Sequence, residues 1–317
     1  MKESISLRKR FCKDYNLPIN LYDSPYFEQR LEALDRHFNC VHRYELFMGE
    51  LERFQTEEEY FAYYNQVKDS AIQFIQSRSG YEEFTNSKVP TLREFPKKEL
   101  YSDCNDGKTF FSIDMRKANF TTLSKLYPDL VGGEQYWEEF LSKFTDLEHI
   151  LLSKYIRQVV LGACCPKKQT QWEKFLMENL CMSIEGRLPL CRVISVNTDE
   201  ILIESESPCS MSSDSLLSII ERDTPFFEDM LKVSKFVLKK IEGFGWVKQF
   251  VHAVSTDALN GAYEFKCVES DKYHILSKLY RGEGVSDDDL VFYHNGMLAT
   301  YLDKGNFKLP PSFSNPS

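Results

Sequence analysis

The pattern of apolar and polar positions changes character along the chain. After the run Thr56-Glu57-Glu58-Glu59, which has the spacing of a capping box, apolar and aromatic residues recur at Tyr60, Tyr63, Tyr64, Val67, Ile72, Phe74 and Ile75. This periodicity predicts a helix of several turns with one packed face. The first hundred residues read as mainly helical. The polar stretch from Thr85 to Lys98, interrupted by Pro90 and Pro96, reads as a connector, and a second unit starts near Leu100.

From there the predicted order is a strand over Thr109–Ile113, a helix over Arg116–Leu126, a helix over Glu134–Leu161 with room for a break, and a helix over Lys167–Cys181. A hairpin over Arg192–Glu206 and a helix over Asp214–Glu221 follow, then strands near Lys235–Lys240 and Val247–Val254. The Asn295-Gly296 pair within Phe292–Leu298 marks a further hairpin. These elements are buried most simply by an antiparallel sheet backed on one face by helices, an α+β fold. The expected division is a helical region over 1–99, the sheet-containing domain over 100–260, an α/β extension over 261–308, and a loose tail over 309–317. No internal repeat is present.

Two acids stand where chemistry is easiest to build. Val193–Asn197 and Ile201–Ile203 form two apolar arms around the turn residues Asn197-Thr198-Asp199, which places Asp199 at the tip of a hairpin. Phe110-Phe111-Ser112-Ile113-Asp114 is a buried-type strand that ends in an acid. An ordinary surface hairpin accounts for the first segment equally well. If the strand lies beside the hairpin, however, Asp114 and Asp199 meet, and paired carboxylates suit a hard divalent cation, Mg2+ or Mn2+.

Composition narrows the classes. The 317-residue chain is long enough for a real core, and its 14% aromatic content belongs to a packed protein. No apolar run approaches the roughly 20 residues of a membrane span, and the amino-terminal segment lacks the apolar core of a signal peptide. The expectation is an intracellular protein, cytoplasmic or nuclear, with a viral origin left open and no membrane partner. Nine cysteines without a Cys-x-x-Cys pair point to free thiols, and the six histidines show no metal-ligand spacing. The net charge of −9 excludes a generally basic nucleic-acid packaging surface. It leaves room for a local basic path through Lys154, Arg157, Lys167, Lys168 and Lys174, or through Lys232, Lys235, Lys239, Lys240 and Lys248.

Three segments together resemble the catalytic motifs of family B DNA polymerases, in that family's order. Phe111-Ser112-Ile113-Asp114 with the downstream Phe120 resembles the first motif, D-x-x-S-L-Y-P. Lys154 through Gly162 has the lysine-to-glycine spacing of the second, K-x-x-x-N-S-x-Y-G, and Val193-Ile194 with Thr198-Asp199 and Ile201 is similar to the third, V-I-Y-G-D-T-D-S-I. The resemblance implies a palm-like sheet and a nucleotidyltransferase that adds nucleotides to a nucleic-acid 3′-hydroxyl. It implies a two-metal mechanism in which Asp114 and Asp199 hold the two metal ions, and contact with the nucleoside triphosphate by Lys154, Arg157 and Phe120. The basic segment containing Lys167, Lys168 and Lys174 is then expected to line the nucleic-acid path, with Trp172 or Trp246 available for stacking and core packing favoured for Trp172.

Departures from the motifs are specific. Asn197 stands where the family has its other aspartate, Val196 replaces its glycine, and Gln158, Val159 and Leu161 replace residues of the second motif. Ser195 with Thr198-Asp199-Glu200 is also similar to the acids of lesion-bypass polymerases and of reverse-direction tRNA guanylyltransferases, which makes Glu200 a catalytic candidate. The alternatives are a catalytically silent palm that binds nucleic acid or a replication or transcription partner, and a metal-dependent nuclease built on the same two acids. A protein partner that supplies missing parts is compatible with each.

Overall fold

The expected helices and strands form in a computed structural model of the chain, which describes residues 3–187, 191–205, 211–251, 263–302 and 307. Helices α1 (Ile5–Tyr15), α2 (Tyr26–Phe38), α3 (Cys40–Leu51), α4 (Glu57–Gln76) and α5 (Tyr81–Asn86) precede strand β1 (Thr109–Met115). Next come α6 (Ala118–Leu126), α7 (Trp137–Leu141), α8 (Glu148–Leu151), α9 (Lys154–Gly162) and α10 (Pro166–Ile184). Strands β2 (Cys191–Val196) and β3 (Glu200–Ser205) form the hairpin, followed by α11 (Ser213–Asp223), β4 (Leu231–Ile241) and β5 (Gly245–Phe250). Strand β6 (Tyr263–Lys266), helix α12 (Ser270–Tyr280) and strands β7 (Val291–His294) and β8 (Met297–Thr300) complete the order. The fold is α+β, with antiparallel strand pairing and a helical amino-terminal region. Residues 252–254 of the strand expected to reach Val254, and the tail over 309–317, lie outside the described residues.

Local chemistry explains where elements start. The capping box is realised at α4, where Thr56 Oγ1 accepts from the Glu59 N–H at 3.2 Å and the Glu59 carboxylate accepts from the Gln55 N–H at 2.8 Å. The interval Glu134–Leu161 is three short helices rather than one. Thr145 Oγ1 accepts from the Leu147 N–H at 3.1 Å in the turn before α8, and Ser153 Oγ caps α9 by accepting from the Ile156 N–H at 3.0 Å.

The chain divides into two compact units. One comprises Met1–Phe61, Lys239–Gln249 and Ala253–Ser317; the other comprises Ala62–Leu238 and Phe250–His252. The divisions fall inside α4 and β4. The segment that looked like a linker belongs to the second unit because it covers a sheet edge. The Lys98 N–H donates to the Ile194 carbonyl at 3.0 Å and the Val196 N–H donates to the Pro96 carbonyl at 3.0 Å, which occupies backbone groups that an edge strand otherwise leaves free.

Within the second unit the strands lie in the order β2-β3-β1-β4. Strand β1 pairs antiparallel with β3, Phe111 opposite Ile203 and Asp114 opposite Glu200, and on its other side with β4. Alternation sends Phe111, Ile113 and Met115 into one core with Ile201 and Ile203 of β3 and Leu231 of β4. Leu176, Met177, Leu180, Cys181 and Ile184 of α10, with Leu216 and Ile220 of α11, cover that face. The β2–β3 register shifts between Val193 and Ser195. This bulge lets Val193 and Val196, three residues apart, both face the core, which a regular strand does not allow.

The first unit packs rings around α1 to α3. Phe11 lies 4.8 Å from Tyr44 and 5.6 Å from Phe47, and Phe47 lies 6.0 Å from Tyr60, centroid to centroid. Beyond this cluster, His274 of α12 is 1% exposed and hydrogen-bonds the Asp289 carbonyl through Nε2 at 2.9 Å. Lys278 Nζ holds the Asp289 carboxylate at 2.7 and 2.9 Å. Burial, reinforced by the Arg30 charge and less so by Lys278, pushes the His274 imidazole down to about 4.

Because that value lies below the one for an unfolded histidine, the unfolded chain binds more protons between the two. The stability His274 confers is therefore complete above about pH 6.5 and declines as pH falls toward 4, by about 3 kcal/mol in all. Urea denaturation of wild type and His274→Gln at pH 7 and pH 4.5 is expected to show a smaller acid loss in the variant; equal losses would assign the acid sensitivity to other groups.

Candidate functional site

The register between β1 and β3 brings the two predicted acids to one place. The Met115 N–H donates to the Asp199 carbonyl at 2.8 Å, one position beyond the Asp114–Glu200 pair, and the Asn197 N–H closes the hairpin on the Glu200 carbonyl at 2.8 Å. Asp114 and Asp199 line a cavity of about 520 Å³ within the second unit. Lys154, Arg157 and Gln158 of α9 line the same cavity, as do Lys117 and Asn119 at the start of α6.

Helix α10 forms another wall through Pro166, Gln169, Thr170 and Glu173. These positions continue, toward the amino terminus, the stripe that farther along becomes Leu176, Met177, Leu180 and Ile184. One helix face thus serves the core at one end and the cavity at the other. The turn into α10 is tight: Cys165 is left-handed at φ 58°, and Pro166 occupies the first helical position, where its missing N–H costs nothing. Gln169, 3% exposed, donates through Nε2 to the Leu161 and Cys164 carbonyls, both at 2.7 Å. It satisfies carbonyls at the end of α9 and fixes the α9–α10 corner.

Charges in the cavity are segregated by element. Lys117 pairs with Glu138 of α7, and Arg157 feels the same carboxylate. Burial lowers the Arg157 pKa, which Glu138 partly opposes, and among the described residues its buried Nε has no hydrogen-bond partner. On the acidic side, burial and then the Asp199 charge push the Glu173 carboxyl up to about 7. Glu173 escaped the motif reading. Its signal was a carboxylate at helical spacing on the apolar stripe of α10, a position where a charged group needs a reason to stay.

Other predicted residues stand apart from the cavity lining. Phe120 is 1% exposed and packs at 5.8 Å from Trp137 and 5.9 Å from Phe140, which makes it a core residue. Glu200 accepts from Ser112 Oγ at 2.5 Å. Lys168 donates to the Ser87 carbonyl, Lys174 pairs with Glu178 at 3.4 Å, and Lys167 is exposed on α10. Trp172 donates to Ser87 Oγ at 3.0 Å and contacts Tyr127 and Phe175, so it fastens the connector to α10. Trp246, 7% exposed, is buried in the first unit. Asn197, at the position of the missing aspartate, accepts from Ser195 Oγ at 3.0 Å through its amide oxygen.

Oxygen donors dominate the acidic side, and no histidine or cysteine lines the cavity. Among the described residues, no group of three or more His, Cys, Asp or Glu side chains is placed to hold a metal ion. No described helix is long and apolar enough to cross a membrane. Comparison with protein-family models, with curated proteins and with solved structures found no match to the chain.

The corner is the mechanical support of the basic wall. Gln169→Ala removes both bonds and leaves the Cys164 carbonyl without its donor, while Leu161 keeps the Cys164 N–H, and is expected to cost about 1–3 kcal/mol in denaturant unfolding. An unfolding midpoint equal to wild type would show that α9 and α10 are held without it.

Proposed function

We propose that the cavity is a nucleotidyl-transfer site. The observation that supports this reading is the convergence of Asp114, Lys154, Arg157 and Asp199, which come from three separate segments of sequence, on one cavity. Asp114 and Asp199 would hold a divalent cation, magnesium or manganese, whose chemistry when bound is to neutralise phosphate oxygens and lower the pKa of an acceptor hydroxyl. Two carboxylates suffice for such an ion, because magnesium characteristically completes its shell with water and substrate phosphate oxygens.

The residues of the chain itself divide the remaining work. Lys154 is exposed at the first turn of α9, and Arg157 lies one turn on, half-buried, with an unpartnered Nε. Together they attract a triphosphate and offset the charge that grows on departing pyrophosphate. Gln158 and Thr170 offer uncharged hydrogen-bonding groups on the cavity wall. The acceptor is a nucleic-acid 3′-hydroxyl, approaching past the exposed amino-terminal turn of α10, which carries Lys167.

A second reading is a binding module that keeps this architecture without turnover. Asn197 favours it, since its amide is engaged by Ser195 where the resembled motif has an acid. Incubation with labelled nucleoside triphosphates, a primer-template and Mg2+ or Mn2+ separates the two. Incorporation is expected in wild type and is expected to fall on the order of 100-fold in Asp114→Asn and in Asp199→Asn. Incorporation indifferent to both substitutions would sink the reading, and salt-dependent nucleic-acid binding without incorporation would establish the binding module.

A further inference from the structure

Glu173 is an acidic cavity residue that the proposed reaction leaves unused. It is 8% exposed, it faces the space shared with Asp114 and Asp199, and among the described residues it has no hydrogen-bond or ion-pair partner. A carboxylate buried to that degree ordinarily carries a cationic or N–H partner. Asp289 in the first unit, 3% exposed, shows the usual solution, with Lys278 and Ser286 on its oxygens.

Two groups of the cavity lining that could answer Glu173 are committed elsewhere. Gln169, one turn earlier on the same face, uses its amide N–H groups on the Leu161 and Cys164 carbonyls. Lys117 is held by Glu138. The charge that does reach Glu173 is that of Asp199, of like sign. Two carboxylates in mutual repulsion at the wall of a water-accessible cavity need a positive ion or a proton between them.

Resting on the reading above for the role of Asp199, we propose that Glu173 and Asp199 together hold a hard divalent cation, magnesium or manganese, in the protein before any nucleotide arrives. Oxygen-only donors select this class of ion over zinc or copper, which favour imidazole and thiolate. Water fills the remaining coordination positions, as is usual for magnesium. Helix α10 therefore contributes an acid from outside the sheet, and the cation ties the helix to the β2–β3 turn.

The test is manganese binding followed by electron paramagnetic resonance, with the full chain and no nucleotide. Wild type is expected to bind Mn2+, and Glu173→Gln and Asp199→Asn are each expected to weaken binding about tenfold or more. Thermal melting controls for folding. Glu173→Gln removes a like-charge repulsion, so the metal-free variant is expected to melt no lower than wild type while losing the rise in melting temperature that Mn2+ gives wild type. Mn2+ affinity unchanged in Glu173→Gln, or no binding by wild type without nucleotide, would overturn the proposal. The outcome is separable from that of the incorporation assay. A Glu173-dependent Mn2+ site in a protein that incorporates nothing supports the cation site and removes the transfer reaction; normal incorporation by Glu173→Gln with unchanged Mn2+ affinity does the reverse.

Discussion

The antiparallel pairing of β1 with β3 is the constraint on which the rest of the second unit depends. It sets Asp114 opposite Glu200 and joins Met115 to Asp199 through the backbone, so two acids far apart in sequence become neighbours without any side-chain contact being required. The same register sends Phe111, Ile113, Ile201 and Ile203 to one face. A slip of β3 by one residue would turn Ile201 and Ile203 to the other face and move Asp199 away from Asp114 at once. The apolar core therefore enforces the geometry of the polar site.

Helix α10 converts that sheet into a cavity. Its stripe is apolar where it covers the strands and polar from Glu173 back to Pro166, where the sheet ends and the acids begin. The Cys164-Cys165-Pro166 corner, braced by Gln169, turns the chain so that α9 presents Lys154 and Arg157 to the same space. Acids arrive from the strand ends and cations from a helix start, on supports that are each fixed by buried hydrogen bonds. A site assembled this way is preorganised by its scaffold.

Much of this was legible in the residues because it is written at short range. Strand β1, the β2–β3 hairpin, α10 and the Asn295-Gly296 turn follow from alternation, helical spacing and turn chemistry, and the pairing of Asp114 with Asp199 follows from burying both strands in one sheet. What escaped depends on distant parts of the chain. The Thr85–Lys98 stretch has a linker's composition, yet it covers the β2 edge, because edge pairing uses backbone groups that composition does not reveal. Phe120 stands six positions after Asp114 where the resembled motif has its aromatic at five, and its neighbours Trp137 and Phe140 take it into the core. Glu173 carries no motif at all; only the fold shows that its side chain opens on the cavity.

The central claim is that one cavity gathers metal-binding acids and phosphate-binding cations. It is tested most directly by a crystal structure of the full chain grown with Mn2+ and a non-hydrolysable nucleoside triphosphate, recorded at a wavelength where manganese scatters anomalously. The result expected is an anomalous peak between Asp114 and Asp199, with the triphosphate extending toward Lys154 and Arg157. An empty cavity, or manganese and nucleotide bound elsewhere on the molecule, would contradict it.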